Sequence, residues 1–252
     1  MRPAPPLVIA HRGASAAAPE NTIAAFERAL ALGADALQLD VHLSRDDQPV
    51  VIHDFTLERT TDGSGPVRAR TVRELKRLDA GGWLGAAFRG QRVQTLQEVL
   101  ERFRGRARLS ITLKGGSSLY PDIEERIVGL LEVYDALEWT LVQSLDVAAL
   151  RSLRARSAEV RLGVLVAHRP IDLVADLVTD WTAVCPAVTV VGPAERAAIR
   201  AAGRECHVWT VNEPALMDRL VEWSVEGIIT DRPDLLRARL GPRSRLGQAG
   251  DG

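Results

Sequence analysis

RLSITLKGGSSLYPDIEERIVGLLEVYDALEWTLVQ, residues 108–143, decides the fold. It opens with an apolar, β-branched run, Arg108–Leu113, that reads as a strand buried on both faces. A helical run, Pro121–Leu137, follows, and a second short apolar run, Thr140–Gln143, closes the unit. Strand, helix, strand at this spacing implies two parallel strands joined by a right-handed crossover.

The same alternation extends both ways. Towards the N-terminus, Leu7–Ala10 is a strand, and Asn21–Leu32 is a helix stopped by Gly33. Ala36–Leu43 and Val50–His53 are strands around the turn Arg45-Asp46-Asp47-Gln48, and Thr71–Leu78 and Leu96–Arg104 are helices. Towards the C-terminus, strands at Arg161–Val166, Ala183–Cys185, His207–Val211 and Gly227–Thr230 alternate with helices. These helices are Val147–Ala155, Ile171–Asp180, Ala194–Ala202, Ala215–Glu222 and Asp234–Leu240. About eight such units predict a single-domain α/β fold, a (β/α)8 TIM barrel over residues 1–240. The 252-residue length suits a fold that typically takes about 250. The rival, an open doubly wound sheet, lacks a Gly-x-Gly-x-x-Gly after its first strand. Residues 55–94 are expected to form a loop insertion that shapes a pocket. Residues 241–252, rich in Gly, Arg and Ser, are expected to be a disordered tail.

Composition narrows the function. A net charge of −1 gives no argument for nucleic acid or an anionic membrane as partner. No stretch approaches the ~18 apolar residues of a membrane span. Two cysteines make no disulfide framework, and a cytoplasmic protein is expected. Lysine occurs only at Lys76 and Lys114, although arginine is abundant.

Polar residues collect where strands end: His11-Arg12-Gly13, Gln38-Leu39-Asp40-Val41-His42, His53-Asp54, Thr112-Leu113-Lys114, Gln143-Ser144, Trp209-Thr210-Val211-Asn212 and Thr230-Asp231-Arg232-Pro233. In a barrel of this type the strand C-termini carry the site. The chemistry suggested is phosphoryl transfer on a small-molecule phosphate ester. His11 and His53 can serve as acid and base, since histidine titrates near neutral pH. Arg12 and Lys114 can hold phosphate oxygens, and a lysine kept in a chain that avoids lysine points to a need for a compact ammonium there.

Several blocks resemble glycerophosphodiester phosphodiesterases. They are His11-Arg12-Gly13, Pro19-Glu20-Asn21-Thr22, Asp40-Val41, Val51-Ile52-His53-Asp54, and Thr56-Leu57-x-Arg59-Thr60-Thr61-x-Gly63. Thr95-Leu96-x-Glu98-Val99-Leu100, Trp209-Thr210-Val211-Asn212 and Gly227-Ile228-Ile229-Thr230-Asp231-Arg232-Pro233 continue the match in order to about residue 236. The resemblance implies a TIM barrel, hydrolysis of glycerophosphodiesters to an alcohol and glycerol 3-phosphate, a place in lipid metabolism, and a divalent cation. It also implies that His11 and His53 form the acid/base pair and that Arg12 and Lys114 contact phosphate.

The chain departs from this pattern at the metal. The resemblance implies a Glu-x-Asp pair and a Glu two residues before the lysine; here stand Gln38, Asp40 and Thr112. Hard cations want charged oxygen ligands, and only Asp40 keeps its charge. The expected cofactor is therefore none, or a weakly bound Mg2+, Ca2+ or Mn2+. Three readings stay open: an enzyme working without the usual metal, with Gln38 and Thr112 turned to a divergent substrate; a non-catalytic phosphate- or polyol-binding homologue; and a diesterase whose metal is held by Asp40 with other groups, such as His42 two residues on. Trp209 and Trp83 are candidate pocket-lining residues. Cys185 and Cys206 read as buried structural thiols, His207 as a residue of the stability face, and His168 as a residue near the mouth.

Overall fold

A computed structural model describes residues 4–167 and 181–241. Eight parallel strands close a barrel: β1 (Leu7–Ala10), β2 (Ala36–Leu43), β5 (Arg108–Leu113), β6 (Thr140–Ser144), β7 (Arg161–Val166), β8 (Ala183–Pro186), β9 (Glu205–Val208) and β10 (Gly227–Thr230). Each pairs with its neighbours in parallel, and β1 completes the ring by pairing with both β10 and β2. The expected barrel is what the chain forms. The expected helix Ile171–Asp180, His168 and the tail after Gly241 lie outside the described residues.

The helices start where side chains satisfy their free N–H groups. Thr22 caps α1 (Ile23–Ala31) through Ala25 N. Thr71 and Glu74 form a capping box on the short α2 (Val72–Leu75), as Thr95 and Glu98 do on α3 (Leu96–Phe103). Asp146 caps α5 (Val147–Arg156), which follows α4 (Ile123–Val133). Proline fills the first turn of α6 (Pro193–Ala201), α7 (Pro214–Glu222) and α8 (Pro233–Leu240).

Most of the core lies between the strands and this helical layer, where Phe26 and Phe103 meet edge to face at 5.8 Å. The barrel interior is filled by two smaller apolar groups, Ile9 with Ala36 and Ile229, and Leu141 with Ala183 and Cys185. Trp209 packs against both. Burial pushes the Cys185 thiol up, and that of Cys206 up to about 12, so both are inert packing groups.

The insertion at 55–94 is more than a loop. Val50, Ile52, Leu57, Val67, Leu75, Ala80 and Val93 bury a small core of their own. Antiparallel β3 (Pro49–Val51) and β4 (Gln94–Thr95) tie it to the upper half of β2.

Because Phe103 is fully buried, Phe103→Ala should lower the unfolding free energy by about 3–5 kcal/mol. Thr95→Ala should lower it by only about 1 kcal/mol, through the lost cap. Denaturant titration followed by far-UV circular dichroism measures both.

Candidate active site

The mouth is built from the turns that follow β1, β3, β5 and β10. His11 and Arg12 leave β1 in a tight turn. Arg12 sits in the left-handed region at φ 57, a conformation that costs a non-glycine residue about 1–3 kcal/mol. The turn is held from both sides: Arg12 N donates to Gln38 Oε1 at 2.8 Å, and Asn21 N donates to Arg12 O at 2.9 Å. Gly13 follows at φ 85, against α1, where a Cβ would lie 2.6 Å from the Ala25 carbonyl carbon. Only glycine fits there.

Each histidine is braced by a carboxylate. His11 Nδ1 lies 2.7 Å from Asp231 Oδ1. Ser15 Oγ and Asn212 Nδ2 also donate to Asp231. Burial acts to raise the Asp231 pKa, but these hydrogen bonds, His11 foremost, bring it down to about 2. His53 Nδ1 lies 2.5 Å from Asp54 Oδ1, and its Nε2 lies 3.1 Å from Lys114 Nζ. Lys114 is a donor only, so Nε2 is the acceptor and Nδ1 carries the proton. Desolvation lowers the His53 pKa, with Arg12 and Lys114 adding to the effect; desolvation also lowers that of Lys114.

The remaining charges form a chain. Arg12 pairs with Glu20 at 2.9 Å, Glu20 pairs with Arg59 at 2.7 Å, and Arg59 pairs with Asp54 at 2.6 Å. His42, the candidate metal ligand beside Asp40, has both ring nitrogens engaged: Nδ1 accepts from Tyr120 Oη at 2.7 Å, and Nε2 donates to the His53 carbonyl at 3.0 Å. Desolvation lowers its pKa to about 4. This buried ring ties the His53 turn to the segment that follows Lys114.

The positions implied to hold a divalent cation do not fit one. The Arg12 N–H fixes Gln38 Oε1 as its acceptor, so the Gln38 amide nitrogen points the other way. It donates to Thr112 Oγ1 at 2.9 Å and approaches Asp40 Oδ1 at 3.4 Å. A donor thus stands where a ligand oxygen would be needed. Asp40 Oδ2 accepts from Asn21 Nδ2 at 3.0 Å and lies 3.4 Å from Arg12 Nε. Thr112 also accepts from Gln143 Nε2 at 3.0 Å. Among the described residues no three His, Cys, Asp or Glu side chains converge as a metal site.

Of the residues singled out in the sequence, Arg12, Gln38, Asp40 and Thr112 are linked directly, as are His53 and Lys114. Trp209 spans the barrel interior below them, with its Nε1 donating to the Cys185 carbonyl at 2.6 Å. Asp231, Asp54, Glu20 and Arg59 complete the site, and the sequence marks them only by position: Asp54 beside His53, the others within the matched blocks.

Comparison with known proteins gives the family and supports the fold. Residues 11–235 match the model of the glycerophosphoryl diester phosphodiesterase family. The chain belongs to that family. It is 38% identical over 239 residues to a glycerophosphodiester phosphodiesterase of Caldanaerobacter subterraneus subsp. tengcongensis, covering 91% of this chain and 96% of that one. A glycerophosphodiester phosphodiesterase from Agrobacterium tumefaciens superposes with a TM-score of 0.80 at 33% identity, over 91% of this chain and 98% of that one. An Oleispira antarctica phosphodiesterase, solved with the product sn-glycerol-3-phosphate, superposes with a TM-score of 0.85 at 30% identity, over 94% and 97% of the two chains. Among the described residues of this family member, no helix is long and apolar enough to cross a membrane.

The metal fit of Gln38 and Thr112 can be tested without turnover. In Gln38→Glu/Thr112→Glu, three carboxylates crowd one another and require a cation. Millimolar Mg2+ or Ca2+ should raise the thermal midpoint of that variant by several degrees and leave the natural chain unmoved. Differential scanning fluorimetry reads both.

Proposed function

We propose that this family member hydrolyses a glycerophosphodiester to an alcohol and glycerol 3-phosphate, and that its own cations do the electrostatic work at phosphorus. The observation that carries this is the contact between Lys114 and His53, beside a second histidine braced by Asp231.

In this reading Arg12 and Lys114 hold the phosphate oxygens. A bound phosphate draws the Lys114 ammonium away from His53 and frees the Nε2 lone pair. His53 then takes a proton from water as the water oxygen attacks phosphorus. As the P–O bond to the leaving alcohol breaks, His11 gives that oxygen a proton from Nε2, while Asp231 balances the charge of the ring until then. The proton held by His53 returns through solvent. Thr112 Oγ1 accepts from two amides, so its own proton is left to donate to a phosphate oxygen. Fixed cations and donors of this kind stabilise developing charge without reorganising. A protein that only bound phosphate would have no use for two carboxylate-braced histidines. Asp40, with both oxygens engaged, orients Arg12 rather than a metal.

Activity on a glycerophosphodiester should survive excess chelator within about twofold. Loss in chelator, restored by Mg2+ or Ca2+, would sink the metal-free reading alone. His53→Asn should lower kcat by roughly 10²–10⁴, and Asp231→Asn should lower kcat more than it changes KM. A base must be deprotonated to act. Because the His53 pKa is lowered, the acidic limb of kcat/KM should fall below the usual imidazole value of about 6.5. A limb at or above 6.5 would contradict the assignment of His53 as base.

A further inference from the structure

Six large apolar side chains are exposed among the described residues: Phe55, Trp83, Leu84, Leu119, Val133 and Leu145. Single exposed apolar residues need no explanation, but the placement of these does. Val133 ends α4, on the far side of the barrel. The other five lie on the segments that frame the mouth. Phe55 follows His53 by two residues, Leu119 sits between β5 and α4, and Leu145 sits between β6 and α5. Trp83 and Leu84 belong to the insertion, where Trp83 Nε1 donates to the Ala80 carbonyl; Ala80 lines a small cavity with His53 and Glu20.

The first three form one arc. Phe55 follows β3, which pairs with β2, and β2, β5 and β6 are successive strands of the ring. Phe55 meets the His42 ring edge-on at 4.8 Å, and His42 meets Tyr120, the residue after Leu119, at 5.6 Å. Leu119 packs over Gly115, next to Lys114: a Cβ there would lie 3.1 Å from Leu119 Cδ2. A Cβ on Gly116 would lie 2.8 Å from Asp146 Oδ2, and Asp146 follows Leu145. The apolar arc therefore starts at the Lys114–His53 contact and runs outward from it.

The charges beside this arc are already matched. Glu20 is paired with Arg12 and Arg59, and Asp54 with His53 and Arg59. Asp40 is held by Asn21 and Arg12, and Asp231 by His11, Ser15 and Asn212. A cationic alcohol arm would find the carboxylates of the centre engaged, whereas a hydrocarbon would find an uncovered surface leading away from the phosphate position.

We infer that the substrate is an amphiphilic phosphodiester, one arm of which carries a hydrocarbon chain that lies along Phe55, Leu119 and Leu145. This rests on the diesterase reading above and narrows it from small polar diesters to those bearing an acyl or alkyl chain. Covering such a chain removes apolar surface from water, so even a half-covered octanoyl chain is worth a factor of about ten or more.

The test compares sn-glycero-3-phosphocholine with its 1-octanoyl derivative, below micelle-forming concentration, in the natural chain and in Leu119→Ser/Leu145→Ser. The natural chain should favour the octanoyl ester at least tenfold in kcat/KM. The variant should lose that preference to within twofold and keep its kcat/KM for the unacylated diester. No preference in the natural chain, or a preference that survives in the variant, overturns the inference. If neither ester is hydrolysed, the diesterase reading fails, and calorimetry with octyl phosphate against inorganic phosphate decides the arc. Tighter octyl phosphate binding that is lost in the variant sustains it, and equal binding overturns it. If the variant loses only co-sedimentation with phosphatidylcholine vesicles while the octanoyl preference is unchanged, the arc is a membrane-docking surface and the substrate inference falls.

Discussion

Two residue pairs, Ile9 with Ala36 and Ala10 with Leu37, join the first strand of the barrel to the second and turn a sheet into a ring. This junction also fixes the site. His11 and Arg12 follow Ala10 directly, and Gln38 and Asp40 follow Leu37 on the neighbouring strand. The ladder delivers the Arg12 N–H to the Gln38 side chain. Above Leu37 the two strands part, β3 takes over as the partner of β2, and the Glu20–Asn21 segment reaches Arg12 and Asp40. One short stretch of pairing thus sets both the closure of the fold and the spacing of the groups that face the phosphate position.

Charge at the mouth is arranged in alternation. Arg12, Glu20, Arg59, Asp54, His53 and Lys114 form a chain in which each member touches the next. Removing one member of a partly buried chain leaves its neighbours uncompensated, which costs more than the pair contributes. The two ends of the chain are the groups assigned to phosphate. An arriving dianionic or monoanionic phosphate therefore completes the pattern rather than disturbing it. The exchange of carboxylates for Gln38 and Thr112 belongs to the same logic. In the proposed reading, two fewer negative charges beside them leave Arg12 and Lys114 more of their positive field for the substrate.

The barrel was legible because strands buried on both faces read as continuous apolar runs, and Arg108–Leu113 and Arg161–Val166 lie where that reading puts them. Element ends were less legible. The third strand stops at Val51 rather than His53 because the His53 carbonyl is taken by the His42 imidazole instead of a ladder partner. The ninth begins at Glu205 and stops at Val208, before Trp209 enters the barrel interior. Helices start one or two residues later than expected where Thr22 or Thr71 caps the first turn, and where Asp122 takes a left-handed conformation ahead of it. At the site, residues at strand ends could be named from position alone. The braces could not. Asp231 meets His11 only because β10 lies beside β1, 220 residues away in sequence, and Arg59 meets Glu20 only once the insertion has folded over the mouth. Local patterns do not encode such contacts; ring closure does.

The insertion between residues 55 and 94 has one further consequence. Its apolar residues close on one another, and two short strands, the Arg59–Glu20 and Lys76–Glu98 ion pairs and the Gln91 side chain on Ala24 N fasten it to the barrel. Substitutions at its outward-facing positions away from these contacts leave the packing of the strands that carry His11 and Lys114 unchanged. The wall of the mouth and the barrel thus have separately packed cores, so one can change without repacking the other.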